Sequence, residues 1–288
     1  MMDKKYSYKI ISIILIIILI GIISSLYSIR YADKVMRDSL LEKTQIISTT
    51  LNSSDILTFT GTENDILNPQ YLEVKSKLIE LVKINSDIRF AYISGKKGND
   101  IFFFVDSEQP NSPDYSPPGQ PYPEATDVFK NIFNNKLSIT EGPVNDRWGS
   151  WISALSPIVD TDNQQVVGVI GLDISSRDYY ETLIVYGSIP VLISALFLIL
   201  IIFTYREQKK NLYLLNLKSN LVSIAVHDLR TPIVGIRWLL DSLVDSKENT
   251  FTAEQIQSLE LIRKTNTELL NTASKILEVN KIDSVKKK

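Results

Sequence analysis

The sequence predicts a multidomain membrane protein. Two transmembrane helices flank an α+β domain with an antiparallel sheet. A cytoplasmic helical hairpin follows, expected to pair with a second copy as a four-helix bundle. Three observations predict this. Two uncharged apolar runs, 10–27 and 183–205, stand far apart in the 288-residue chain. The stretch between them changes from helical to two-residue periodicity. The stretch after them holds a heptad stripe.

Each apolar run meets the rough requirement of about 20 residues for a helical span. Pro190 lies in the second, which neighbouring groups can tolerate by re-satisfying the freed carbonyl. A cleaved signal peptide competes for the first run, but Leu26-Tyr27-Ser28 is a poor small-residue cleavage site. Charge orients the spans. Lys4, Lys5 and Lys9 precede the first, and Arg206, Lys209 and Lys210 follow the second. Both termini are therefore expected in the cytoplasm, although Arg30, Lys34 and Arg37 weaken the contrast. Residues 30–182 carry 14 basic and 22 acidic side chains, a net of −8, and residues 205–288 carry 14 and 10, a net of +4. The acidic segment is expected outside.

The expected organisation is a cytoplasmic N-terminus at 1–9, spans at 10–27 and 183–205, an outer domain at 28–182, a helical domain at 206–283 and a linker at 284–288. Residues 28–51 read as a helix leaving the membrane. Tyr71 to Ile84 reads as a second helix. Ile88–Ser94 and Ile101–Val105 read as strands around a Gly95–Asp100 hairpin loop. Residues 109–123 are Pro/Gly/Ser-rich loop, and Glu124–Asn135 is a short helix. Ser150–Ile158 and Gln165–Ile174 are two further strands, turned by Asp160-Thr161-Asp162-Asn163. Helices followed by strands, without βαβ alternation, indicate α+β.

Beyond the second span, Leu215, Val222, Val226, Leu229, Ile233, Ile236, Leu240 and Leu243 follow steps of three and four, with Ser219 in the first gap. That is a coiled-coil or bundle seam. Asp245–Asn249 is expected to turn the chain. A second helix opens with Thr252 and Gln255 as a capping box and Phe251 and Ile256 as a staple. Leu259, Ile262, Leu269, Ala273 and Ile276 form its seam, with Asn266 as a polar interruption. One hairpin cannot bury this stripe alone, so a homodimer is expected.

The chain has no cysteine and one histidine, which nearly excludes a Cys/His zinc site. A carboxylate site for a hard cation stays open. Nothing points to nucleic acid. His227 stands one place off the seam, on the outer flank. An inert surface histidine is the bland alternative. The neighbours favour chemistry: Asp228 can accept the imidazole proton, and Thr231, at i+4, shares the His227 face. Pro232 frees the Asp228 carbonyl and is expected to bend the helix.

His227-Asp228-Leu229-Arg230-Thr231-Pro232, within Ser219–Val244, resembles the phosphoacceptor box of sensor histidine kinases of two-component systems. The resemblance covers about 206–283. It implies a HisKA-type dimerisation domain and a protein-histidine kinase of a bacterial-type inner membrane. His227 would take the γ-phosphoryl group of ATP, with Asp228 as base. Thr231 would serve a phosphatase reaction on the response-regulator partner. ATP and Mg2+ would belong to a separate ATP-binding domain. None of that domain's motifs precedes Lys288, so the chain as given is expected to bind neither and to need that domain for labelling. No HAMP-type linker fits the 21 residues between Tyr205 and His227. One continuous helix would carry a signal roughly 33 Å across them.

The outer segment resembles a Cache (PAS-like) sensor domain. Its ordered pieces are Arg89-Phe90-Ala91-Tyr92, Phe103–Ser107, Pro118–Tyr122, Asp146–Trp151 and Val169–Ile174. The resemblance and residue chemistry give Tyr92, Phe104, Asp106, Tyr122, Trp148, Trp151 and Asp173 as candidate ligand contacts, for a ligand the sequence does not name. Their plain alternative is aromatic core. A chemoreceptor would share this domain and both spans, but would have no use for the hexapeptide. A short regulatory scaffold that dimerises and dephosphorylates the regulator is the other alternative.

Overall fold

A computed structural model describes residues 4–244 and 251–285. The expected turn at Asp245–Asn249 and part of the expected linker lie outside them. The chain divides into two compact units, residues 1–196 and 197–288.

In the first unit, helix α1 (Lys4–Thr50) leads through α2 (Ser53–Ile56) and a 3-10 turn (Glu63–Leu67) into α3 (Pro69–Ile84). The N-cap of α3 is Asn68, whose side chain accepts from the Gln70 N–H, and Pro69 takes the first turn, where its missing N–H costs nothing. Five strands follow: β1 (Phe90–Lys97), β2 (Asp100–Asp106), β3 (Ile139–Asp146), β4 (Gly149–Val159) and β5 (Val166–Ser175). Helix α4 (Asp127–Asn135) lies between β2 and β3. The sheet is antiparallel with order β2-β1-β5-β4-β3.

Three elements differ from expectation. The β1–β2 hairpin is tighter, with strand running through Gly95–Lys97 and the turn at Gly98-Asn99. Helix α4 starts at Asp127, because Thr126 caps it by accepting from the Phe129 N–H. Strand β3 was not expected at all. Gly142-Pro143 interrupts its pattern, and its register shifts between Glu141 and Val144. A proline in an edge strand is tolerated because one side of that strand needs no ladder donor.

The two-residue period of the strands separates two cores. Ala91, Ile93, Phe104, Ile170, Leu172 and Ile174 pack with α1, α2 and α3 through Leu40, Ile56, Val74 and Leu78. Tyr92, Phe103, Leu155 and Val169 pack on the other face with Tyr122, Phe129 and Ile132.

Helix α5 (Ser176–Val244) follows β5 without a break. Helices α1 and α5 both contain stretches long and apolar enough to cross a membrane. Within the first unit their contact is built from small residues. Pro190 has no N–H to offer the Tyr186 carbonyl. The Ser28 hydroxyl of α1 donates to that carbonyl at 2.9 Å, and Ser25 donates to the Gly187 carbonyl at 2.7 Å. Apolar surroundings give such hydroxyls a strong reason to find a carbonyl. Farther along, Arg37 donates to Asp33 at 2.9 Å and to the Gly142 carbonyl at 3.1 Å. The buried Tyr179 hydroxyl of α5 also donates to Asp33.

In the second unit, α5 runs through Pro232 as helix, and α6 (Ala253–Val285) returns beside it. The capping box forms: Gln255 accepts from the Thr252 N–H at 2.9 Å, and Thr252 accepts from the Gln255 N–H at 3.3 Å. Asn266, buried, donates to the Ile233 carbonyl at 2.9 Å. The seam interruption thus ties the two helices together at one register. Arg230 donates to Ser274 at 3.1 Å, a second tie.

Candidate functional site

Two places in the chain gather chemistry-bearing side chains. The first is the outer face of α5. Val226 is buried, whereas the next residue, His227, is turned to solvent. Its imidazole is 80% exposed and the Asp228 carboxylate 72% exposed. Nδ1 of His227 lies 3.2 Å from Oδ1 of Asp228. A carboxylate there favours the tautomer with the proton on Nδ1, which leaves the Nε2 lone pair free towards solvent. Thr231, one turn on, is also exposed. An exposed nucleophile beside a proton acceptor on a rigid helix can accept a transferred group.

The second place is a cavity of about 30 Å3 on the α4 face of the sheet. Tyr92, Asp106, Tyr122, Trp148 and Asp173, all singled out from the sequence, line it. Phe90, Phe103, Asp114, Ser116 and Asp146 line it as well and were missed. Two sequence candidates are not in its wall. Phe104 has the opposite strand parity to Phe103 and packs on Phe59 in the other core, with ring centroids 5.9 Å apart. Trp151 stands behind the wall, edge-on to Phe90 at 4.9 Å.

The wall is built across strands. Phe90 and Asp173 are directly opposed on β1 and β5. Tyr92 is opposed to Gly171, where any Cβ would collide with the tyrosine ring, so only glycine lets the ring lie across β5. The loop between β2 and α4 closes the top. Its Ser116 N–H donates to Asp106 at 2.7 Å, and Tyr122 N–H donates to the Ile101 carbonyl at 2.8 Å. Asp146 accepts from the N–H groups of Trp148 and Gly149 at 2.9 and 3.0 Å and from the Trp151 indole at 2.9 Å. The Asx turn at Asp146-Arg147-Trp148-Gly149 was the local signal for it.

Electrostatically the wall is acidic. Asp173 is 5% exposed. Burial pushes its carboxyl from 3.8 up to about 7, against the lowering effect of the Ser153 hydrogen bond. Burial also raises Asp106, outweighing the Ser116 N–H and the Lys75 ammonium 3.1 Å away. Burial of Tyr92 and Tyr122 pushes both phenols well above their ordinary value, so both stay neutral donors.

The comparisons with known proteins divide along the same line. Residues 217–285 match the family model of the His Kinase A (phospho-acceptor) domain. No curated protein matches the chain. Among solved structures, the ligand-binding domain of the Campylobacter jejuni chemoreceptor Tlp3 with L-valine is 15% identical, with a TM-score of 0.34, over 62% of this chain and 64% of that one. The extracellular domain of mmHK1S-Z3, named as a histidine kinase, is 18% identical, with a TM-score of 0.34, over 55% and 58%. The chain thus spans less than two thirds of the length of either. At such TM-scores the sheet order and cavity stand on their own geometry. The match over α5 and α6 contains His227 to Pro232, so residues 217–285, with the exposed imidazole among them, are similar to the His Kinase A (phospho-acceptor) domain.

Proposed function

We propose that this chain is the sensing and phosphoacceptor part of a membrane sensor histidine kinase. The observation that carries the proposal is the exposed His227–Asp228 pair inside the matched phospho-acceptor domain. In the reaction, Nε2 of His227 attacks the γ-phosphorus of ATP. The P–N bond forms, the P–O bond to ADP breaks, and Asp228 stabilises the proton held on Nδ1. The phosphoryl group then passes to an aspartate of a response regulator. Thr231 orients water when the same surface dephosphorylates that regulator. ATP and Mg2+ sit on an ATP-binding domain that presents them to His227.

The half-exposed seam on α5 and α6 supports a homodimer, since two hairpins can cover what one leaves in water. The apolar stretches of α1 and α5 support an inner-membrane protein, and the lysines and arginines before the first and after the second support cytoplasmic termini with the sheet domain outside. The cavity on the α4 face is its sensing site.

The test is phosphoryl transfer from labelled ATP, with a histidine-kinase ATP-binding domain supplied in cis or in trans. Wild type is expected to take up label that is stable to base and lost in acid. The His227→Gln variant is expected to take up none. Equal labelling of the variant would overturn the assignment.

A further inference from the structure

Three cations follow the first apolar run on the side expected to face outward: Arg30, Lys34 and Arg37. The cytoplasmic side usually holds the excess of lysine and arginine, so each of the three calls for a partner. Arg37 has its partners inside the fold. It donates to Asp33 at 2.9 Å and to the Gly142 carbonyl at 3.1 Å, and its guanidinium lies 5.4 Å from the Tyr179 ring centroid. Arg30 and Lys34 are exposed, and among the described residues neither forms an ion pair. Asp33 is taken by Arg37, and Glu181 of α5 by Arg177. Asp38, one turn beyond Lys34, pairs with neither cation.

The two cations share a face with aromatic and apolar groups. At about 3.6 residues per turn, Tyr27, Arg30, Tyr31 and Lys34 fall within about 100° of the α1 surface. Tyr27 and Tyr31 are exposed and stack with ring centroids 6.3 Å apart. Ile20 and Ile23, on the same face inside the apolar run, are exposed as well. Along this face the helix passes from isoleucine to tyrosine to cation. With a rise of about 1.5 Å per residue, Arg30 stands about 4.5 Å and Lys34 about 10 Å beyond Tyr27. Those two heights bracket the polar layer of a bilayer, roughly 5–8 Å thick on each side.

The order of these groups selects the ligand. Bare isoleucines suit an acyl chain, and amphipathic rings suit the boundary between chain and headgroup. A guanidinium and an ammonium without a paired acid suit a phosphodiester. A zwitterionic headgroup would bring its own cation against Arg30 and Lys34. A soluble anion would gain nothing from the rings and isoleucines below.

We propose that this face of α1 binds an anionic phospholipid of the leaflet beneath the sheet domain. Arg30 and Lys34 hold the phosphate, Tyr27 and Tyr31 flank the glycerol backbone, and an acyl chain lies along Ile20 and Ile23. This rests on reading α1 as a membrane span of the kinase.

The 288-residue chain is reconstituted in nanodiscs of mixed phosphatidylcholine and phosphatidylglycerol and crosslinked to a photoactivatable phosphatidylglycerol. Crosslinks are expected on residues 20–34, and added phosphatidylglycerol should displace them where phosphatidylcholine and inorganic phosphate do not. Arg30→Gln combined with Lys34→Gln should keep the thermal transition and lower this crosslinking by about fivefold per cation removed. Arg37→Gln, which cuts bonds inside the fold, should lower the melting temperature and leave the crosslinking nearly unchanged. Crosslinks confined to residues 206–210, equal yield in the double variant, or displacement by phosphatidylcholine or inorganic phosphate would each overturn the proposal. Chain-to-chain crosslinks at residues 27–34 would overturn it by giving the face to a second copy. Carbonate extraction of membranes separates the two readings. A chain released by carbonate defeats the membrane reading, whereas a retained chain without the lipid preference defeats only the lipid site.

Discussion

In the sheet domain, Leu155, Ile170 and Leu172 are completely enclosed, whereas on the C-terminal helices Leu229 and Ile236 stand 57% and 46% exposed. The first region satisfies its apolar residues within one chain. The second leaves a regular stripe in water. The chemistry runs the other way. His227, Asp228 and Thr231 are consecutive or one turn apart, so helix geometry alone brings them to one face. The cavity residues come from β1, β2, β3, β5, the loop after β2 and the turn before β4, and only strand register brings them together. A fold closed on itself can hide its site from the sequence, and an open helical pair can display one.

Core substitutions break this comparison most forcefully. Leu155→Ala should cost about 2–5 kcal/mol, the usual range for an enclosed leucine. Leu229→Ala should cost under about 0.5 kcal/mol in a monomer. Chemical denaturation at rising protein concentration measures both. A large, concentration-dependent cost at Leu229 would show that a second copy covers the seam.

The next effect is a pH dependence confined to the sheet domain. Asp173 has a folded value near 7, raised by burial from 3.8. Between those values the folded state binds more protons than the unfolded one, so this group's contribution falls as pH rises. The penalty is absent below about pH 4 and complete above about pH 7. Asp173→Asn should therefore raise the melting temperature at pH 8 and leave it nearly unchanged at pH 4. An equal shift at both pH values would contradict the buried, uncompensated carboxylate.

On the helices, Thr231→Ala should lower phosphatase activity on the regulator tenfold or more while changing His227 labelling less than twofold. Parallel losses would mean that Thr231 supports the helix rather than a water. The smallest expected effect is at the start of α6. Thr252→Ala removes one half of the capping box and should cost about 1 kcal/mol. Helicity of the second unit, followed by circular dichroism on heating, reads it.

The sequence carried the local parts of this molecule well. The capping box at Thr252 and Gln255, the helix over Tyr71–Ile84 and the outward place of His227 all depend on spacings within one or two turns. It carried the non-local parts poorly. Strand β3 was hidden because Gly142-Pro143 breaks its alternation. Phe104 was the expected ligand contact, but strand parity puts it in the helix-side core and gives the cavity wall to Phe103. Asp146 was no ligand candidate, because only the fold sets it in one cavity wall with Asp173. Pro190 was legible as tolerable in a span, but the hydroxyl that serves its freed carbonyl, from Ser28 158 residues away, was not.

The most direct measurement follows the phosphoryl group itself. The 288-residue chain and its His227→Gln variant are incubated with γ-labelled ATP and a histidine-kinase ATP-binding domain, and the modified residue is located by mass spectrometry under neutral conditions. The account predicts one acid-labile phosphoryl group on His227 and none on the variant. Label at another residue, or undiminished label on the variant, would contradict it.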